Sequence, residues 1–128
     1  MNKKYALATV GAATALAIPG ALLVASPAQA DSERSIRCGG AEIELSVDRE
    51  YGVFEVDGSI DNAKPGSKWR VALRHEGKVY YKTVRTADRE GEIDVERLRK
   101  NTAGKDTFSL SVRNLSTNQL CKVKVVTS

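Results

Sequence analysis

The sequence predicts an all-β sandwich of about seven short antiparallel strands. Three observations carry that prediction. Beyond residue 30, apolar and polar residues alternate with a period of two along most of the chain. Clusters of Gly, Asn, Asp, Ser and Pro interrupt the alternation every eight to twelve residues or so, the spacing of a sandwich or barrel. No long stretch of this region has a helical period. The clearest segment is the last. Phe108, Leu110 and Val112 alternate with Thr107, Ser109, Ser111 and Arg113, a polar turn follows over Asn114–Gln119, and Cys121, Val123 and Val125 then share a face. That is the pattern of a hairpin with one buried side.

The first thirty residues read differently. Lys3 and Lys4 precede an uncharged Ala/Leu/Val run over Tyr5–Ala25, broken by Ser26-Pro27 and closed by Ala28-Gln29-Ala30. A basic start, an apolar middle and small residues at the cleavage positions make a secretory signal. The apolar run is long enough to cross a bilayer. The Ser-Pro break and the polar Asp31-Ser32-Glu33-Arg34 that follows instead predict cleavage after Ala30. The expected mature chain, 31–128, is one secreted domain with no membrane span. The Ala-rich leader resembles those of high-GC Gram-positive bacteria, which implies an actinobacterial source. Loss of Lys3 and Lys4 lowers the formal charge from +4 to +2. Acids and bases interleave along the remainder, the mark of a solvated surface.

Taken in order, Asp31–Ser35 is polar and expected to be loose, and Gly39-Gly40 eases the entry to the first strand. Ala41, Ile43, Leu45 and Val47 alternate with Glu42, Glu44, Ser46 and Asp48, with a turn expected at Asp48-Arg49-Glu50. Phe54, Val56, Gly58 and Ile60 define the second strand, ended by the loop residues of Asp61–Ser67. Lys68–His75 is the third, with Trp69, Val71 and Leu73 on one face and Arg70 and Arg74 on the other. Glu76-Gly77 makes a two-residue turn. Lys78–Thr86 is rich in β-formers, but Val79, Tyr80, Tyr81 and Val84 share no single phase, as expected of an edge strand. Ile93 and Val95 begin a short fifth strand, and Val95–Lys100 has the composition for one helical turn. The closing hairpin supplies the sixth and seventh strands.

Two cysteines in an exported chain are expected to pair. A Cys38–Cys121 bridge closes a loop of about 84 residues, worth roughly 4.5 kcal/mol by loss of unfolded-chain entropy.

From Ile93-x-Val95-x-x-Leu98 through Gly104-Lys105-Asp106-Thr107-Phe108 to Ser109-Leu110-Ser111-Val112-Arg113-Asn114, the chain resembles the last third of fibronectin type III and bacterial immunoglobulin-like domains. Trp69 is similar to the buried tryptophan of immunoglobulin domains. The resemblance implies an immunoglobulin-like sandwich. Two departures stand out: Phe108 occupies the place of a corner tyrosine, and the cysteines join the chain ends in place of the second and sixth strands. The fold by itself implies no activity.

Residues for catalysis are sparse. The one histidine, His75, is expected at the rim of the third strand beside a turn, and acid–base chemistry near neutral pH usually needs such a group in a cleft. With one His and two bridged Cys, a zinc site lacks ligands. Asp57-Gly58-Ser59-Ile60-Asp61 has the opening rhythm of a calcium loop, but Lys68 stands where the closing Glu belongs. Gly39-Gly40 lacks the lysine and helix of a phosphate cradle. Asn114-Leu115-Ser116 matches the glycosylation triplet, a chance match in a bacterial chain. No enzyme activity, cofactor, metal or nucleic-acid partner is therefore expected, and the protein is expected to be a monomer.

What remains is a basic stripe, Arg70, Arg74 and Lys82, beside Tyr80 and Tyr81. It is the candidate binding surface for an anionic cell-wall polymer or an extracellular protein. A second basic cluster comprises Arg97, Arg99, Lys100 and Lys105. The alternative function is a secreted inhibitor of an extracellular hydrolase presenting Asp61–Lys68 or Asn114–Gln119.

Overall fold

The computed structural model describes residues 31–102 and 104–127. The expected leader lies outside the described residues. The remainder forms eight strands and, among the described residues, no helix: β1 Asp31–Cys38, β2 Ala41–Glu50, β3 Val53–Asp61, β4 Lys68–His75, β5 Lys78–Thr86, β6 Ile93–Lys100, β7 Asp106–Asn114 and β8 Leu120–Thr127. They build two antiparallel four-stranded sheets, ordered β1-β2-β3-β6 and β8-β7-β4-β5.

Alternation decides which side chains face inward. Ile43, Leu45 and Val47 of β2, Phe54, Val56 and Ile60 of β3, Trp69, Val71 and Leu73 of β4, and Phe108, Leu110 and Val112 of β7 are all buried. Side chains from the two inner faces fill one core. Gly58 lies on the inner face of β3, where a Cβ would sit 3.2 Å from both δ-carbons of Leu110. Its missing side chain is the space Leu110 occupies. The Trp69 indole N–H donates to Ser67 Oγ at 2.9 Å, which satisfies the ring at the end of the core.

Three sequence expectations are corrected. Asp31–Ser35 is strand, paired with β2 from Asp31↔Asp48 to Cys38↔Ala41, so there are eight strands and not seven. The inward phase of β1 carries Ser32 and Arg34 beyond the core edge, and backbone pairing alone makes them a strand. β2 does not turn at Asp48–Glu50 but runs through Glu50. Its hairpin turn is Tyr51-Gly52, with φ of 52° and 76°. Glu76-Gly77 is likewise positive at both positions, 54° and 82°, as a type I′ turn requires. Val95–Lys100 is strand, pairing with β3 as far as Lys100↔Val53, and not a helical turn.

The broken phase of β5 has a physical cause. The β4–β5 register slips between Leu73 and Arg74, so Leu73 opposes Tyr81 while Arg74 opposes Val79. Tyr80 is the extra residue of a β-bulge, and a bulge resets the alternation. The loop at the end of β3 is tied to that after β5: Ala63 N donates to Gly91 O, Gly66 N to Ala87 O and Ala87 N to Ser67 O. Only glycine fits at 91, since a Cβ there would lie 2.2 Å from Ala63 O at a φ of +77°.

The two free sides of the sandwich close by different means. On one, Cys38 at the end of β1 is bonded to Cys121 at the start of β8, with Cα atoms 6.0 Å apart. Below the bridge, β1 and β8 flank a groove of about 470 Å³. On the other, Arg97 and Arg99 of β6 reach across to Tyr81 and Tyr80 of β5, their guanidinium carbons 3.7 and 4.5 Å from the ring centres.

Candidate functional site

Charge, which interleaves along the chain, is sorted by the sheet pairing. The outward residues of β8-β7-β4-β5 fall in rows that cross all four strands. One row is Leu120–Arg113–Arg70–Val84, the next Lys122–Ser111–Ala72–Lys82, the third Lys124–Ser109–Arg74–Val79. None of these rows contains an acid. Small residues in the middle leave a shallow depression of about 340 Å³, bordered by Arg70, Arg74, Lys82, Arg113 and Lys122. Arg74 is held by a 2.7 Å hydrogen bond to Ser111 Oγ, and Arg113 donates to Asn118 O at 3.0 Å. Arg70 and Arg113 stand directly opposite each other, a like-charge pair that costs a sheet stability.

The outward rows of β1-β2-β3-β6 have the opposite sign. They read Ser35–Glu44–Ser59–Asp94, then Glu33–Ser46–Asp57–Glu96, while Asp48 opposes Glu55 and Glu55 opposes the exposed Leu98. Arg37 and Lys100 stand only at the two ends of this face. The crowded carboxyls are pushed above their usual range. Burial and then the neighbouring Glu33 raise Glu44. The hydrogen bond to Glu96 and that group's charge raise Glu55. Burial and then Glu96 raise Asp57.

The five residues of the sequence-derived surface therefore separate. Arg70, Arg74 and Lys82 share the basic outer face. Tyr80 and Tyr81 leave it, because the bulge turns both toward the seam with β6, where Arg99 and Arg97 cover their rings. The basic face gains Arg113, Lys122 and Lys124, which a stripe read along β4 and β5 alone does not include. Of the second basic cluster, Arg97 and Arg99 lie in the seam.

His75 is not a rim residue. It is 4% exposed, and its ring stacks on Phe108 with centroids 4.3 Å apart and planes 8° from parallel. Arg99 Nε donates to Nδ1 at 3.2 Å, so the ring proton sits on Nε2 and is donated to Asp106 Oδ1 at 2.8 Å. Thr102 Oγ1 donates to the same oxygen. The sequence held the signal: His75 continues the inward phase of Trp69, Val71 and Leu73, and Asp106 that of Phe108, Leu110 and Val112. Ligand atoms of His75, Glu76 and Asp106 lie within 4.8 Å of one another, as do those of Glu55, Asp57 and Glu96. In the first group both ring nitrogens are engaged, and Glu76 Oε2 accepts from Thr107 N at 2.6 Å. In the second the carboxylates face solvent on the acidic sheet.

The turn at 114–119 is framed from within. Asn114 Oδ1 accepts from Ser116 N at 2.8 Å, Asn118 N donates to Asn114 O, and Leu115 stays exposed. No protein-family model matches the chain, and no curated protein or solved structure matches it.

Proposed function

We propose that this chain is a secreted, non-catalytic recognition module of immunoglobulin-like fold that binds an anionic cell-wall polymer through the outer face of β8-β7-β4-β5. The observation that carries the reading is the set of cross-strand rows in which Arg70, Arg74, Lys82, Arg113, Lys122 and Lys124 meet no acid. Opposed like charges such as Arg70 and Arg113 repel until an anion lies between them. A polymer with regularly spaced phosphates or carboxylates supplies such anions along its length, and Arg grips them in a planar fork. The disulfide suits an oxidising compartment outside the cell.

Strand order supports the immunoglobulin-like assignment. With β2, β3 and β6 as strands A, B and E, and β4, β7 and β8 as C, F and G, the pairings A-B-E and C-F-G follow, and β5 takes the edge beside C. β1 is an addition to that plan. The bridge from β1 to the last strand holds the added strand in place of the family's inter-sheet disulfide.

The test is cosedimentation with purified bacterial cell walls. The protein is expected to pellet in dilute buffer and to be released at about 0.5 M salt, where the Debye length falls to roughly 4 Å. Arg70→Gln with Lys122→Gln should weaken pelleting at low salt. Protein that stays in the supernatant at low salt sinks the proposal. One observation favours a second reading, an inhibitor of an extracellular hydrolase: the hydrogen-bonded 114–119 turn presents Leu115 at a braced tip. A stable, uncleaved complex with such an enzyme, lost in Leu115→Asp, would support it.

A further inference from the structure

The acidic sheet has no role in polymer binding, and its charges are arranged as unfavourably as those of the basic sheet. Asp57 faces Glu96 across adjacent strands. Directly opposed like charges cost a sheet stability. Both faces keep that cost on their outer surfaces, with opposite signs, on opposite sides of one sandwich. We infer that the acidic face of one copy docks on the basic face of the next, so that the protein assembles head to tail through its two sheets.

The geometry suits this occupant. Both faces are built on the same pleat, so charges repeat at about 6.8 Å along a strand and about 4.8 Å between strands on each. Carboxylates spaced as Glu55 and Asp57 meet bases spaced as Lys122 and Lys124, two residues apart on a single strand in each case. Apolar side chains join the contact on both sides, Leu98 on the acidic face and Val79, Val84 and Leu120 on the basic one, all exposed. Four strands at about 4.8 Å and eight residues at about 3.3 Å give each face roughly 500 Å². A docked pair buries about 1,000 Å² in all, the lower end for specific association. The contact is therefore weak, reversible and sensitive to salt.

The two faces differ, so the contact is heterologous and no two-fold axis closes it. Such contacts grow into open stacks. The near balance of charge once the leader is removed leaves little net repulsion against growth. On a polymer-bound layer, the acidic sheet points away from the polymer and offers a seat for the basic sheet of a second layer.

Sedimentation velocity on the purified protein tests the inference, with two blocked variants. In one, Glu55, Asp57 and Glu96 become Gln. In the other, Arg70, Lys82 and Lys122 become Gln. Wild type should show a weight-average mass that climbs with concentration at about 0.02 M salt and returns to the monomer at about 0.5 M, as the Debye length shrinks from roughly 20 Å to roughly 4 Å. Each blocked variant should remain monomeric alone, yet an equimolar mixture should form a one-to-one dimer and nothing larger. Only a two-faced contact produces that result. Wild type that is monomeric at low salt, a closed wild-type dimer, or folded variants that do not pair when mixed would each overturn the inference. Wall pelleting separates the two proposals. The acid-blocked variant still pellets if polymer binding is right and stacking wrong, and wild type stacks without pelleting if the reverse holds.

Discussion

Asp106 Oδ1 accepts a 2.8 Å hydrogen bond from Nε2 of His75, and both residues are buried, Asp106 completely. This contact ties the end of β4 to the start of β7, and Arg99 draws β6 of the other sheet into the same group. Removing Asp106 leaves the Nε2 proton of buried His75 without its acceptor. Asp106→Ala is therefore expected to cost about 2–3 kcal/mol. Urea denaturation measures it, and a loss under about 0.5 kcal/mol, the size of a neutral surface change, would show that the group does not brace the sandwich.

Tyr80 is the opposite case. Its hydroxyl is buried with no hydrogen-bond partner among the described residues. Burial pushes its pKa up to about 12, against the opposing charges of Arg99 and Arg97. The folded chain keeps this proton at a pH where the unfolded chain has lost it, so stability drains away as pH rises from 10 toward about 12. Tyr80→Phe deletes an unsatisfied group and retains the ring under Arg99. It should leave stability at neutral pH unchanged or raise it by up to about 1 kcal/mol, and flatten the alkaline decline relative to wild type. A clear loss at neutral pH would mean the hydroxyl has a partner.

The acidic sheet sets a dependence at the other end of the scale. Glu44, Glu55 and Asp57 have raised pKa values, so the folded chain holds protons that the unfolded chain releases from 4.5 for Glu and 3.8 for Asp. The cost of their burial and of their crowding with neighbouring carboxyls is fully felt above the raised values. Stability is regained as pH falls through them toward the unfolded values, and is level with respect to these groups below that. Glu96→Gln removes the neighbour common to Glu55 and Asp57. It should raise the thermal midpoint at neutral pH and shrink the gain on mild acidification. A midpoint that falls at neutral pH would contradict the repulsion.

Reduction of the Cys38–Cys121 bridge releases a constraint worth up to about 4.5 kcal/mol, and it frees the side of the sandwich where β1 and β8 meet over a groove. The thermal midpoint should drop sharply in thiol reagent, and Cys38→Ala with Cys121→Ala should reproduce the drop. A midpoint unmoved by verified reduction would show that the bridge is not what holds β1 to β8.

Tyr51 occupies a left-handed position, φ 52°, in a type I′ turn and is 99% exposed. Nothing packs against the ring to offset the backbone cost of a bulky residue there. Tyr51→Asn should stabilise the protein by about 1 kcal/mol, since Asn tolerates that conformation. Equal or lower stability in urea would argue against strain at this turn.

Much of the fold was legible in the chain. Alternation marked β2, β3, β4 and β7, and Asn114–Gln119 marked the last hairpin, because a strand with one buried side writes its own period into the sequence. The lost phase at Tyr80-Tyr81 was visible too, but it read as an edge strand, which it is, and not as the bulge that causes it. β1 was not legible, because its inward residues Ser32 and Arg34 lie beyond the core and carry no apolar signal. The length of β6 was hidden in the same way: Arg97 and Arg99 occupy inward positions but cover tyrosines at an open edge.

The residues by themselves determined which side of each strand would be apolar, where most turns would fall and which cysteines were there to join. Four of the eight strands also carry charges of a single sign, acids on β3 and bases on β4, β5 and β8. Only the tertiary structure decided which strands became neighbours. Hydrogen-bonded pairing across long loops put like-charged strands side by side in each sheet and turned the two sheets back to back, which a pattern read along one dimension does not contain.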